Sequence, residues 1–134
     1  MTRLFLAEFH FHHRMQINVS FQNLLQRLKN GEADFEDVIT HITENYHYTP
    51  TRFVNGAGAD AVINEAGQNA GACRVLALGQ LLNLGEADVL QLFGRYYRDD
   101  VLKNPQGSEH ANIRTFMRSG WAGVQFDGVV LVAK

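Results

Sequence analysis

The sequence AGACRVLALGQLLNL, residues 70–84, decides how the rest of the chain must fold. Apolar side chains occupy nearly every face of a helix drawn through it: Cys73, Leu76, Ala77, Leu81 and Leu84 on one side, with Val75, Leu78 and Leu82 beside them. Such a helix has almost no polar face to present to water, so neighbouring elements must cover it. The stretch therefore predicts a central, buried helix.

Four further helices are predicted from apolar residues at helical spacing. Before the central helix, Ser20 and Asp34 are candidate N-caps, and Gly31 can end the first helix in the left-handed conformation. After it, Gly85 separates two helices, and Gly94 within the second indicates a close helix contact or a bend. The five predicted helices cover residues 21–30, 35–46, 70–84, 86–102 and 109–119.

The C-terminal residues carry a hairpin signal. Residues 124–126 alternate, Asp127-Gly128 forms a turn, and residues 129–132 resume the strand pattern. Residues 3–11 also alternate as a strand would, although Met15 is an alternative start that would make residues 1–14 an extension. The prediction is a mainly helical α+β domain over residues 15–134, with a small antiparallel sheet that includes the C-terminal hairpin.

Composition excludes several classes of protein. The chain has 134 residues, of which 46% are hydrophobic and 19% charged, as expected of one globular domain. Its formal charge of -2 gives no basic field for nucleic acid. The longest apolar run is too short and too interrupted to cross a membrane, and no Sec signal precedes it. A single cysteine, Cys73, forms no intrachain disulfide and suits a reducing cytoplasm.

Aromatic rings and amides crowd the loop before the central helix, and these are the materials of a small-molecule pocket. If the 86–102 helix returns antiparallel to the central one, its end and the following segment come back to this loop. The alternative is a stiff loop bonded to itself, because Asn and Gly satisfy turns. The candidate pocket residues are Tyr48, Asn55, Asn64, Asn69, Tyr97, Arg98, His110 and Arg114.

Two other groups of residues invite a chemical interpretation. Cys73, His110 and Asn112 occur in the order of a thiol nucleophile, its base and an orienting amide, although Cys73 on an apolar stripe is better explained as buried and inert. The imidazoles of His10, His12 and His13 could meet a metal, but no carboxylate or cysteine completes a recognisable set. No metal site or cofactor is predicted.

A charged cluster flanks two tyrosines, Tyr96 and Tyr97. Its guanidinium groups could bind a carboxylate or phosphate. The favoured interpretation is buried pairing of Arg98 with Asp99, because acidic groups near a helix C-terminus oppose its dipole and need a partner. Arg114 on the next helix is a further candidate partner for this cluster, which consists of Arg95, Arg98, Asp99 and Asp100.

Several short motifs in a fixed order resemble the HopJ type III effector family over about residues 17–131. They are YHYTP at 46–50, FVNG at 53–56, NEAGQNAGAC at 64–73, FGRYYRDDVL at 93–102, NP at 104–105, NIR at 112–114, FM at 116–117 and GW at 120–121, with Gly107 and His110 between them. The resemblance implies no reaction and no catalytic residue. It implies type III export only through the family's name.

These observations favour a small, non-enzymatic binding or interaction protein. Its partner would be a protein or a small molecule, without nucleic acid or membrane, and a homo-oligomer is compatible with the sequence. The alternative is an enzyme with a polar pocket formed by the Asn55–Cys73 and Tyr97–Arg114 segments. A closed core around Cys73 favours the binding protein, whereas an open polar cleft containing Cys73 and His110 favours the enzyme.

Overall fold

A computed structural model describes residues 19–134, and it has the α+β architecture that the sequence predicts. Helix α1 occupies residues 19–29 of the described chain. The other α-helices are α2 (Phe35–Asn45), α3 (Ala70–Leu81), α4 (Glu86–Gln91) and α5 (Ala111–Ser119). A π-helical segment covers Tyr96–Val101, and short 3-10 turns cover Gly58–Asp60 and Gly120–Gly123. The strands are β1 (Tyr46–Tyr48), β2 (Phe53–Asn55), β3 (Val62–Asn64), β4 (Gln125–Phe126) and β5 (Leu131–Ala133).

The central helix is confirmed. Helix α3 buries every residue from Val75 to Gly79, and α2, α4 and β5 pack around it. Gly79 is required by this packing, since a Cβ there would lie 2.6 Å from Cγ2 of Val89 on α4. The helix ends at Leu81, earlier than predicted, and the Leu81 side chain is 52% exposed, so its assignment to the core was wrong.

Helix boundaries before α3 follow local signals. Asp34 caps α2 through a capping box with Asp37, and Gly31 ends α1 in the left-handed conformation with φ of 75°. Ser20, by contrast, is already helical, so it is not the N-cap of α1. The buried face of α2 carries Val38 and Ile42, both fully buried, as its apolar stripe predicts.

The predicted helix over residues 86–102 is not continuous. Helix α4 ends at Gln91, Gly94 adopts a left-handed φ of 56°, and the chain resumes as the π-helical segment. The bend lets the backbone approach the start of α2, where the Arg95 N–H donates to Oδ1 of Asp34 at 2.9 Å. A Cβ on Gly94 would collide with that same Asp34 oxygen. Gly94 therefore provides both the bend and the close helix contact that the sequence suggested. The contact with α2 forms because the 86–102 helix is interrupted there.

The C-terminal strands turn at Asp127-Gly128 as expected, but they do not pair with each other. Strand β4 pairs antiparallel with β2 in a three-stranded sheet of order β3-β2-β4, whereas β5 pairs antiparallel with β1 in a separate two-stranded sheet. The predicted hairpin ladder was therefore wrong. The backbone groups of β4 are satisfied by hydrogen bonds to β2, and those of β5 by hydrogen bonds to β1. Both partner strands lie far earlier in the chain.

Candidate functional site

Helices α3 and α5 begin at the same cavity. It has a volume of about 320 Å³ and is only partly enclosed. We call it the inter-helix pocket, and most of its wall comes from the first turns of these two helices. Its lining residues are Phe35, Asn69, Gly71, Ala72, Phe93, Tyr96, His110, Ala111, Asn112 and Ile113.

Both helices are preceded by a residue with unusual backbone geometry. Asn69 has φ of 50° and His110 has φ of 59°, both in the left-handed region, which Asn and His tolerate better than most residues. In this conformation neither side chain caps its helix. The first N–H groups of a helix have no intrahelical partner, and the helix dipole adds partial positive charge there. Two such ends therefore face one pocket.

A buried asparagine network lies behind the start of α5. Asn64 and Asn112 exchange side-chain hydrogen bonds of 2.9 and 3.2 Å, and Asn55 donates to the Asn112 carbonyl at 2.8 Å. Asn69 joins the network by donating to Oδ1 of Asn64 at 2.7 Å. Asn55, Asn64 and Asn112 are each at least nine-tenths buried, so these bonds fix the beginnings of α3 and α5 against β2 and β3.

The rim of the pocket carries its aromatic and ionisable groups. Nε2 of His110 lies 3.0 Å from Oδ2 of Asp100, and the imidazole stacks on Tyr96 with ring centroids 5.1 Å apart. Tyr96 in turn meets Phe35 edge to face at 5.2 Å and accepts a hydrogen bond from Arg95. The orientation of His110 is therefore fixed from two sides.

The thiol is not part of this site. Cys73 is 1% exposed, and its Sγ donates to the Thr51 carbonyl at 3.7 Å. Burial raises the pKa of the Cys73 thiol, which disfavours the reactive thiolate. His110 pairs with Asp100 and Asn112 with Asn64, so the arrangement of a cysteine nucleophile, base and orienting amide is not formed. Burial of Cys73 is confirmed, and the core around it is closed.

The other residues predicted for a pocket lie at different places. Asn69 and His110 line the inter-helix pocket, and Asn55 and Asn64 support it from behind. Tyr48 lies on β1 beneath the guanidinium of Arg74, which is 4.2 Å from its ring centroid. The pocket lining does not include the remaining three, which are Tyr97, Arg98 and Arg114.

The charged cluster differs from its prediction. Arg98 approaches Asp99 only at 3.8 Å, and both side chains are about two-fifths exposed, so the predicted buried pair was wrong. Arg114 is buried but pairs with Glu109 at 2.7 Å instead of with Asp99 or Asp100. The π-helical geometry changes the direction in which these side chains leave the backbone, and a regular helix pattern could not anticipate that.

Asn112 is the residue that sequence reasoning placed in the wrong context. The sequence order suggests it only as the orienting amide of a cysteine site, yet it lies in the pocket wall and at the centre of the asparagine network. The signal that could have found it is its position two residues after His110, in the first turn of a predicted helix.

Two further expectations concern metals and membranes. The residues His10, His12 and His13, and the predicted strand around them, lie outside the described residues. Within residues 19–134, no group of three or more His, Cys, Asp or Glu side chains is arranged to hold a metal ion. None of the helices in that same range is long and apolar enough to span a bilayer.

Comparisons with known proteins agree with the fold. A crystal structure of the protein VPA0580, described as having unknown function, is 40% identical in sequence and superimposes with a TM-score of 0.76. The match covers 84% of this chain and 92% of that one. No curated protein matches the chain. The family model described as HopJ type III effector protein matches residues 21–131, so the chain belongs to the HopJ type III effector protein family.

Proposed function

We propose that this chain is a binding protein whose inter-helix pocket holds a small ligand through an anionic group. The observation that carries the proposal is that α3 and α5 both begin at this pocket with first turns that no side chain caps. Free N–H groups and the positive ends of two helix dipoles favour carboxylate or phosphate oxygens over neutral groups.

The pocket also has the supports that binding requires. Buried hydrogen bonds fix Asn69 at the start of α3 and Asn112 in the first turn of α5. Ligand binding therefore loses little entropy through ordering of these side chains. Phe35, Phe93 and Tyr96 supply an apolar wall for the rest of the ligand. A volume of about 320 Å³ lies at the small end of ligand pockets. The geometry therefore supports a small ligand with one charged end.

The residues that line the pocket favour a non-enzymatic role. Of the side chains that can act as nucleophiles, its lining holds only Tyr96 and His110, and no cysteine, serine, threonine, lysine or carboxylate. The Cys73 thiol, which the sequence suggested as a nucleophile, lies in the closed core and donates a hydrogen bond to the Thr51 carbonyl. Binding is thus better supported than covalent catalysis.

An enzyme remains the second candidate because of one observation, the pairing of His110 with Asp100 at 3.0 Å. A carboxylate that orients an imidazole at a pocket rim is the arrangement of a general base. Such an enzyme would activate water rather than a side chain. Hydrolysis of p-nitrophenyl acetate separates the two: an enzyme shows saturable hydrolysis faster than an equal concentration of free imidazole and loses it in His110→Gln, whereas a binding protein shows no saturable hydrolysis.

The binding proposal is tested by the melting temperature of the full chain with acetate, succinate or phosphate, each against chloride at equal ionic strength. We expect at least one of these anions to raise the melting temperature, because only the folded state offers both helix ends. Ala111→Glu places a carboxylate at the exposed first position of α5 and should remove the anion's effect.

The matched control is Ala111→Gln, which has the same shape without the charge and should keep the anion effect. Glutamate at this position also favours the helix dipole by about 0.3–1 kcal/mol, so Ala111→Glu should not itself unfold the protein. An equal anion effect in wild type and Ala111→Glu would contradict the proposal.

A further inference from the structure

A second cavity lies on the opposite half of α5 and shares no lining residue with the inter-helix pocket. Its volume is about 300 Å³, and we call it the Arg114 pocket. We propose that it binds a monocarboxylate with an apolar tail. The pocket lies between the end of the π-helical segment, the turn that follows it and the later turns of α5, and is lined by Val101, Leu102, Pro105, Gly107, Arg114, Met117 and Arg118.

The Arg114 side chain supplies the group that recognises the carboxylate. It is only 9% exposed, and it donates from Nε to the Glu109 carbonyl and from Nη2 to the Glu109 carboxylate, both at 2.7 Å. A guanidinium carries five N–H donors, and these bonds use two of them. The edge formed by Nη1 and Nη2 is left, and it matches the two oxygens of a carboxylate.

The guanidinium is also held in place before any ligand arrives. Glu109 fixes one edge of it, and Gly107 lies so close that a Cβ there would be 2.8 Å from Nη2 of Arg114. A guanidinium that is already oriented loses less freedom when it binds a planar anion.

The charges around the pocket select a monoanion. Two of its lining residues, Arg114 and Arg118, are cationic, and Glu109 beside them carries one negative charge, which leaves an excess of one positive charge. Arg118 is exposed and bonds to Thr115, so it can contribute long-range attraction without being part of the buried fork.

The remaining wall explains why the ligand needs an apolar part. Leu102 and Met117 are large hydrophobic side chains that stay 48% and 43% exposed at this pocket, beside Val101 and Pro105. Single exposed hydrophobic residues are ordinary, but here two of them flank a buried arginine. An aliphatic chain would cover both while its carboxylate meets Arg114, and a simple anion such as phosphate would cover neither.

The test uses hexanoate as probe on the full chain, with binding followed by NMR. Met117→Glu places a carboxylate beside Arg114 from an exposed position, and the matched control Met117→Gln does not. We expect Met117→Glu to weaken hexanoate binding by about tenfold or more, and Met117→Gln to change it by no more than about threefold. The neutral amide hexanamide should bind about tenfold more weakly than hexanoate.

The melting temperature of each variant shows that it is folded, and Ala111→Glu should leave hexanoate binding at this pocket unchanged. Equal binding of hexanoate and hexanamide would overturn the proposal, because the guanidinium would then play no part. Unchanged affinity in Met117→Glu, or the absence of amide shifts at residues 101–107 and 114–118, would overturn it as well. Loss of acetate binding in Ala111→Glu concerns only the inter-helix pocket, so the two proposals can fail separately.

Discussion

Among single residues, Asn112 connects stability with the candidate site. Its side chain forms hydrogen bonds with Asn64 and Asn55, and all three residues are at least nine-tenths buried. Its backbone lies in the first turn of α5, at the inter-helix pocket. Buried polar groups without partners are costly, so the network specifies one arrangement of the two helix ends. The pocket's shape thus depends on hydrogen bonds behind it.

Removing this amide should destabilise the fold. Asn112→Ala removes both side-chain hydrogen bonds between Asn112 and Asn64 from the buried network, and we expect the free energy of unfolding to fall by about 2–3 kcal/mol. The matched control is Asn45→Ala on the exposed end of α2, whose amide bonds only to His41 and whose loss should cost about 0.5 kcal/mol or less. Urea denaturation measures both. Equal values would show that the buried network contributes nothing special.

The Cys73 thiol should be unreactive in the native protein. Burial raises its pKa and excludes the reagent, so labelling by a disulfide reagent at neutral pH should be slow and should become fast in denaturant. Absorbance of the released thiolate follows the reaction. Rapid labelling of the native chain would contradict the closed core and strengthen the enzyme alternative.

Among the helices and turns, the contact between the Gly94 bend and the start of α2 determines how the π-helical segment is placed. Asp34 caps α2 and also accepts the Arg95 N–H, so one carboxylate joins two elements. The Arg95 guanidinium adds a contact of 3.1 Å to Asp34 and a further pair with Glu36. Tyr96, which follows Arg95, is thereby positioned at the pocket rim.

Gly94→Ala should be among the most damaging single changes. Alanine would be strained at φ of 56° and its Cβ would strike Asp34, so we expect a loss of about 3–4 kcal/mol. Gly31 gives the matched control, because it has φ of 75° with nothing within 4 Å, and Gly31→Ala should cost only about 1–2 kcal/mol of backbone strain. Chemical denaturation compares them. A similar cost for both would show that the contact with Asp34 is unimportant.

The Asp34 carboxylate should make the free energy of unfolding depend on pH. Burial alone would raise the pKa of Asp34, but hydrogen bonds from the Arg95 and Phe35 N–H groups and the Arg95 guanidinium lower it overall. Because the folded-state pKa is depressed, this stability is present above the unfolded value and is lost as pH falls through the folded value. Asp34→Asn can still cap α2 but does not titrate, so its unfolding free energy should fall less below about pH 4. Identical acid profiles for the two proteins would refute this role.

For the molecule as a unit, the sequence predicted what depends on local pattern and missed what depends on distant partners. The α+β class, the apolar faces of α2 and α3, and the turn at Asp127-Gly128 follow from periodicity and turn chemistry. The separation of β4 and β5 into two sheets could not be read locally, because their partners lie about 70 to 90 residues earlier.

The candidate site shows the same division. Antiparallel return of the chain predicted that the loop before α3 meets the segment before α5, and Asn69 and His110 do line one pocket. The direction of individual side chains could not be predicted, because the left-handed starts of both helices and the π-helical geometry are tertiary outcomes. Arg114 therefore lies in a different cavity from His110, although only three residues separate them.

The most direct test of the inter-helix pocket is a titration of ¹⁵N-labelled full chain with acetate, followed through the backbone amide resonances. We expect the largest shifts to fall together on residues 70–72 and 111–113, because their N–H groups lie in the first turns of the two helices at the pocket. Acetamide at the same concentration should shift them far less. Shifts confined to one helix, absent from both helix starts, or equal for acetate and acetamide would contradict the claim that two helix ends form one anion site.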